Sequence, residues 1–270
     1  MTTIVVVEGD LHAGSLYGLC PPKIELSDRE YLANPYQQWL WERHEELLQR
    51  ALDVKRKHRG ARFVHVLMGD LTQDTVKGKD IGVITANLMD HKAIAVACVK
   101  RSRDVLKPAV TVGVRGTPAH VGLDAQYDEE VVRAVLDTQE TCTKWHERVD
   151  IDGVIFDIKH HPSSKSYVPY LRGGAINRVV ARILTDCGNS GVPVPNVVLR
   201  AHCHKVQDTG ATWRHVRGIQ TPCWQLTTAY GHIITDEPTD VGGVIFTIDG
   251  GGYEADIVVY DQPREDAREI

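Results

Sequence analysis

Two short stretches, Gly9-Asp10-Leu11 and Gly69-Asp70-Leu71, constrain this chain more than any other feature. Each follows an apolar run, Thr3 to Val7 and Phe63 to Met68, of the kind that forms a strand buried on both faces. In each case the chain then turns at a glycine and presents an aspartate at the strand's carboxyl end. A single turn of this kind is an ordinary polar turn. Two of them point to the ligand-collecting edge of an open α/β sheet, which lies outside the carboxyl ends of its strands.

The remaining pattern supplies the elements such a sheet needs. Tyr36 to about Lys57 has a helical stripe of Trp39, Leu40, Leu47, Leu48, Leu52 and Val54, with Trp41 off the stripe. A second helix is expected from about Gly82 to Leu106, stopped by Pro108. Val110 to Val114 reads as a third strand, followed by Arg115-Gly116-Thr117-Pro118-Ala119-His120 and a helix from Asp124 to about Asp137. Asp152-Gly153 is a favoured two-residue hairpin turn between Trp145 to Ile151 and Val154 to His160. A helix is expected from Pro169 to about Cys187, and a strand from Asn196 leads into Ala201-His202-Cys203-His204. Strands are expected at Trp213 to Val216, Gly218 to Thr228, Val241 to Ile248 and Tyr253 to Tyr260, before a charged, frayed tail at 263–270. No composition break splits the chain, so residues 1–270 are expected to form a single domain.

Composition sets outer limits. The 270 residues are 42% hydrophobic and 25% charged, an ordinary globular balance. The net charge of −5 gives no global field toward nucleic acid or anionic membrane, although a local basic groove is compatible with it. The first residues lack a basic start, so no signal peptide is expected; no apolar run reaches membrane length, and the six cysteines lack any C-x-x-C pair, so a reducing, cytoplasmic location is expected. Thirteen histidines against three phenylalanines is a high count, and it matters only where their positions converge.

They converge at strand ends. Asp10, His12, Asp70, His160, His202 and His204 offer oxygen and nitrogen donors from four separate segments. This mixture suits first-row divalent ions such as Mn, Fe, Zn, Ni or Co rather than a thiolate site. One carboxylate placed between two ions is the usual way of holding a close pair.

In order along the chain, Gly9-Asp10-Leu11-His12, Gly69-Asp70-Leu71-Thr72-Gln73-Asp74, Gly116-Thr117, His160-His161-Pro162 and Ala201-His202-Cys203-His204 resemble the five motifs of calcineurin-like metallophosphoesterases, most nearly the bacteriophage-type members. The resemblance spans residues 8–204. It implies a four-layer αββα sandwich of α/β class and a cofactor of two divalent metal ions, manganese first among the candidates. The implied activity is hydrolysis of phosphomonoester or phosphodiester bonds by a water between the metals. The implied partner is a phosphate ester, with nucleotides or nucleic acid among the candidates, and no membrane. Carried over by position, Asp10, His12 and His204 would hold the first metal, Asp70 would bridge, and His160 and His202 would hold the second. His160 is chosen over His161 because the family's ligand stands two residues before proline; His161 would then support the ligands from behind, or be the ligand itself if the turn differs.

The third motif departs from the family. Thr117 stands where the family has an asparagine ligand, and the family's following histidine is absent. His120 is expected to supply that imidazole and assist the leaving group, with Asp74 orienting it. Arg115 and Thr117 are candidate substrate contacts, and Lys165, Arg172, Lys205 and Arg214 are weaker ones. The alternative reading is a metallophosphoesterase-type module with weak or no turnover that serves as a metal-binding or interaction surface.

Overall fold

In a computed structural model of the chain, residues 1–74, 82–162, 173–234 and 237–263 are described. The order is β1 (Thr3–Glu8), β2 (Lys23–Glu25), β3 (Glu30–Leu32), α1 (Pro35–Lys57), β4 (Arg62–Leu67), α2 (Leu88–Leu106) and β5 (Val110–Val114). Then come α3 (Pro118–Val121), α4 (Gln126–Leu136), β6 (Thr143–Lys144), β7 (Glu147–Ile151), β8 (Val154–Ile158), α5 (Gly174–Ser190) and β9 (Val197–Arg200). The chain continues through β10 (Gln207–Asp208), β11 (Arg217–Gln220), α6 (Ala229–Ile234), β12 (Val241–Asp249) and β13 (Gly252–Tyr260).

Two large sheets form, in the orders β13-β12-β1-β4-β5-β6 and β10-β11-β9-β8-β7, beside a two-stranded β2-β3 ribbon. Strand alternation assigns the layers. Val5 and Val7 of β1 face inward with Val64, Val66, Phe246 and Ile248, and pack there against Phe156, Ile158, Val197, Leu199 and Ile219 of the second sheet. Ile4 and Val6 face outward onto a layer that includes Leu40, Leu47, Ile94, Cys98 and Val131 of α1, α2 and α4. On the far side, Ile176, Val179 and Val180 of α5 cover Val198. The result is the expected α/β sandwich in four layers, αββα.

Local chemistry explains most element ends. Asn34 caps α1 in a capping box with Gln37, and Pro35 opens the helix. Trp41 is partly buried against the same core. α2 starts at Leu88 rather than near Gly82, because the Asn87 side chain caps it by accepting the Met89 N–H. The Asp152-Gly153 hairpin is present, with φ of 51° and 88° at the two positions. Two strand expectations are corrected. Residues 213–216 are not a strand, and the strand expected over 218–228 is confined to β11, with α6 following. That stretch pairs through β11 with β9 only as far as Gln220, before Thr221-Pro222 removes a ladder donor. The start of the helix expected from Pro169, together with Lys165 and Arg172, lies outside the described residues, as does the tail after residue 263.

Candidate metal centre

The parallel strands β1, β4 and β5 of one sheet and β8 and β9 of the other release their carboxyl ends into one crevice. The turn after β1 carries Asp10 and His12, and the turn after β4 carries Asp70. Thr117 follows β5, His160 and His161 follow β8, and His202 and His204 follow β9. The first two turns are stitched together by Asp10 N–H donating to the Gly69 carbonyl (2.8 Å) and His12 N–H to the Asp70 carbonyl (3.0 Å). Gly69, at φ 88°, passes so close to the β5 turn that an added Cβ would lie 2.6 Å from the Gly116 nitrogen.

The backbone at the site is strained. Asp10, His12, Asp70, Asp74, His202 and His204 all hold positive φ, from 45° at His12 to 72° at His202. Left-handed backbone costs about 1–2 kcal/mol per non-glycine residue and persists only where the surroundings enforce it. Here the strain turns donor groups from successive residues into a shared space.

Three overlapping groups result, each with its donor atoms within 4.8 Å of one another: Asp10, His12 and His204; Asp10, Asp70 and His160; and His160, His161 and His202. In the first, the Nε2 atoms of His12 and His204 are 3.0 Å apart, and His204 Nε2 lies 3.3 Å from Asp10 Oδ1. In the middle group, His160 Nε2 lies 3.1 Å from Asp70 Oδ2 and 3.9 Å from Asp10 Oδ1. His202 Nδ1 lies 3.9 Å from Asp70 Oδ2. The Asp10, His12, Asp70 and His160 side chains are buried, whereas His161, His202, His204 and Thr117 are half-buried and form the open side.

The electrostatics of this cluster call for positive charge. Burial opposes ionisation of Asp70, yet His160, through its charge and its close contact, holds the carboxyl well below the usual range, with His202 adding to the effect. Asp10 is likewise lowered against burial, by His160 and His204. Burial pushes His160 down, but Asp70 and Asp10 outweigh it and raise the imidazole to about 9. His204 is raised well above its ordinary value, against burial, by Cys223 and Asp10. His12 moves the opposite way, lowered by burial and by its neighbours His120 and His204. Without an ion, protons on imidazoles are what balances the two carboxylates.

The residues present fit divalent cations on three further observations. Asp10 Oδ1 is buried without a hydrogen-bond partner. Two imidazole nitrogens face each other at 3.0 Å between His12 and His204, a contact in which only one of them can donate to the other. The His160 Nδ1–H donates to the Met68 carbonyl at 2.6 Å, which leaves Nε2 turned to the carboxylates, the ring orientation a metal ligand needs.

The structure brings all six expected ligands together, with Thr117 beside them. The Thr117 N–H donates to Asp70 Oδ1, and its hydroxyl faces the imidazoles of the last two turns. His120 also arrives: α3 sets its ring edge-on to His12 with centroids 4.8 Å apart. Its Nδ1 meets the Gln73 carbonyl at 3.2 Å, so a backbone oxygen occupies the orienting position expected of Asp74. Arg115 is turned elsewhere. Its guanidinium contacts Thr143, Asp124 and Glu129 and lies over Trp145. Lys205 is tied to Pro238, Glu237 and Asp240.

One residue that the sequence reading passed over has a clear positioning role. Asp128 of α4 is fully buried and accepts the N–H groups of Asp70, Leu71 and Gly116 at 3.2, 2.9 and 2.7 Å. Burial and the Asp70 charge push its carboxyl up to about 7, against the lowering effect of those donors. It fastens the β4 and β5 turns to each other. The only sequence signal was an acid in the first turn of a helix, which is too common to single out.

No family model matches the sequence, and no curated protein matches it. By structure it is similar to Vps29 of Entamoeba histolytica in complex with zinc, at 10% identity over 96% of this chain and 99% of that one, with a TM-score of 0.41. It is also similar to an uncharacterised protein of Streptococcus pneumoniae, a predicted phosphoesterase, at 9% identity over 96% of this chain and 90% of that one, with a TM-score of 0.38. A third similarity is to the sulfate thiohydrolase SoxB of Thermus thermophilus, at 12% identity over 95% of this chain and 56% of that one, with a TM-score of 0.41. These likenesses are loose, and the residue roles stand on the geometry above.

Proposed function

We propose that this protein is a metal-dependent phosphoric ester hydrolase whose centre holds two divalent cations. The observation that carries the proposal is the continuous run of donors from His12 and His204, through Asp10 and Asp70, to His160 and His202. Because the centre draws its donors from both sheets, the sandwich acts as one domain. Asp10, His12 and His204 would hold one ion and His160 and His202 the other, with Asp70 between them. When bound, such a pair lowers the pKa of water and neutralises charge on phosphate oxygens.

The chain's own groups have separable tasks. Asp70, fixed by the Thr117 N–H and by Asp128 behind its backbone, keeps its carboxylate aimed at the centre. His120, with Nδ1–H directed to Gln73 O, keeps Nε2 available to hold or release a proton at the leaving oxygen. The half-buried histidines mark the face by which the ester enters. Acidic net charge favours a compact ester or nucleotide over a long nucleic-acid track, where many phosphate contacts are needed.

A second reading, a metal-holding scaffold with little turnover, is favoured by one observation: a threonine hydroxyl occupies the middle of the last two turns. Activity decides between them. Wild type is expected to hydrolyse an aryl phosphate or a bis-aryl phosphodiester in a Mn, Ni, Zn and Mg panel. Asp70→Asn should lower that rate by on the order of a thousandfold, about 4 kcal/mol of barrier, without unfolding the protein. Equal rates in the two proteins would contradict the enzyme assignment.

A further inference from the structure

The turn after β8 presents two adjacent histidines, and extended backbone would send them to opposite faces. β8 ends at Ile158, however, and residues 160–161 lie in a bend. Both rings therefore point the same way. Their centroids are 4.8 Å apart, and His161 is 4.6 Å from His202.

The three rings surround one atom. Thr117 Oγ1 lies 2.9 Å from His202 Nδ1, 3.1 Å from His161 Nε2 and 3.4 Å from His160 Nε2. The His160 Nδ1–H is engaged by the Met68 carbonyl, so Nε2 is the ring atom turned into this space. Three imidazole nitrogens within 4.8 Å of each other, all turned toward one oxygen atom, describe a cation pocket.

We propose that His161 is itself a ligand of the second cation. On this assignment the second pocket is a three-imidazole site completed by Asp70, and His161 takes over the coordination that a threonine at position 117 supplies poorly. The inference rests on the two-cation reading above and adds a selectivity to it. Imidazole-rich sites prefer Zn, Ni, Co and Cu, whereas carboxylate and water sites suit Mn and Mg. The second pocket therefore favours zinc-like ions over manganese more strongly than the first, which combines Asp10 with two histidines.

The test is a chelator competition on the full-length protein, stripped of metal and titrated with Zn or with Mn. Wild type should take up two zinc ions in two affinity classes. His161→Ala and His161→Leu should each weaken one class by on the order of 10–100-fold, at least the loss usual for groups that support a ligand from behind. The other class should hold, and Asp10→Asn should weaken it instead. Zinc over manganese should discriminate more strongly in the class that His161 controls. Two zinc classes at wild-type affinity in both His161 variants, each shown folded by circular dichroism, would overturn the proposal and leave the two-cation reading standing. Wild type that takes up less than one zinc would overturn that reading itself. A readout that needs no variant is the hyperfine-shifted imidazole N–H spectrum of the cobalt-loaded protein. It should show His161 beside His12, His160, His202 and His204, and its absence there would overturn the assignment.

Discussion

Two buried clusters of histidine and carboxylate lie on neighbouring parts of β1 and β4, and only one of them has the geometry of a metal centre. Behind the sheet, Glu8 is paired on each oxygen: Oε1 with His65 Nε2 and Oε2 with His44 Nε2, both at 2.9 Å. Ser102 joins His44 at 3.2 Å. Burial would raise the Glu8 carboxyl, but the two imidazoles outweigh it and keep it ionised well below its usual range. Two residues further on, Asp10 keeps one oxygen without a hydrogen bond, and imidazoles meet nitrogen to nitrogen. The first cluster sits on regular strand and helix, whereas the second sits on left-handed turns. The contrast teaches that residue type and burial do not define a centre. Donor atoms from several turns converging on one space, most of them on left-handed backbone, do.

Breaking either cluster should have a different consequence. The largest expected effect is the catalytic loss in Asp70→Asn described above, with stability nearly kept. Next comes Glu8→Ala, which leaves two buried imidazoles without their carboxylate. Losing one partner of a buried pair costs about 3–5 kcal/mol, so denaturant unfolding should show a loss of that order. Metal uptake by the folded fraction should be retained. If Glu8→Ala strips the metal without destabilising the fold, the division between the clusters is wrong.

A smaller effect separates the stripped from the loaded protein. In the metal-free state His160 is raised from an ordinary 6.5 to about 9, so the proton is bound more tightly in the folded chain. That stability is complete below pH 6.5 and is lost as pH rises through about 9. His204 shifts in the same direction. With cations bound, ligands are deprotonated and binding strengthens as pH rises. The stripped protein should therefore lose up to a few kcal/mol over this window, while the loaded protein gains relative to it. Parallel slopes for the two forms would contradict the exchange of protons for cations. The smallest effect is expected at Arg115, whose contacts are with Thr143, Asp124, Glu129 and Trp145. Arg115→Ala should change kcat/KM by less than about threefold, under 1 kcal/mol. A hundredfold loss would return Arg115 to the substrate site.

What could be read from the sequence divides along the same line. The strand–Gly-Asp-Leu turns, the Asp152-Gly153 hairpin and the amphipathic α1 were legible because their causes are local. The convergence of Asp10, His12, Asp70, His160, His202 and His204 was legible because each stands just past a strand end. The Glu8, His44 and His65 network was not. His44 lies on a helical stripe and His65 within a strand, and only packing α1 onto the sheet joins them to Glu8. Asp128 was hidden for the same reason, since the N–H groups it holds come from turns far away in sequence. The strand expected over 218–228 failed because Thr221-Pro222 ends the pairing with β9, a limit set by the partner strand as much as by the residues.

The most direct test of the central claim is a metal count on wild type by isothermal titration, with proton release followed in buffers of different ionisation enthalpy. The account predicts about two divalent ions per chain, with net proton release near neutral pH because His160 and His204 hold protons in the stripped state. Fewer than one ion per chain, or uptake without proton release, would contradict it.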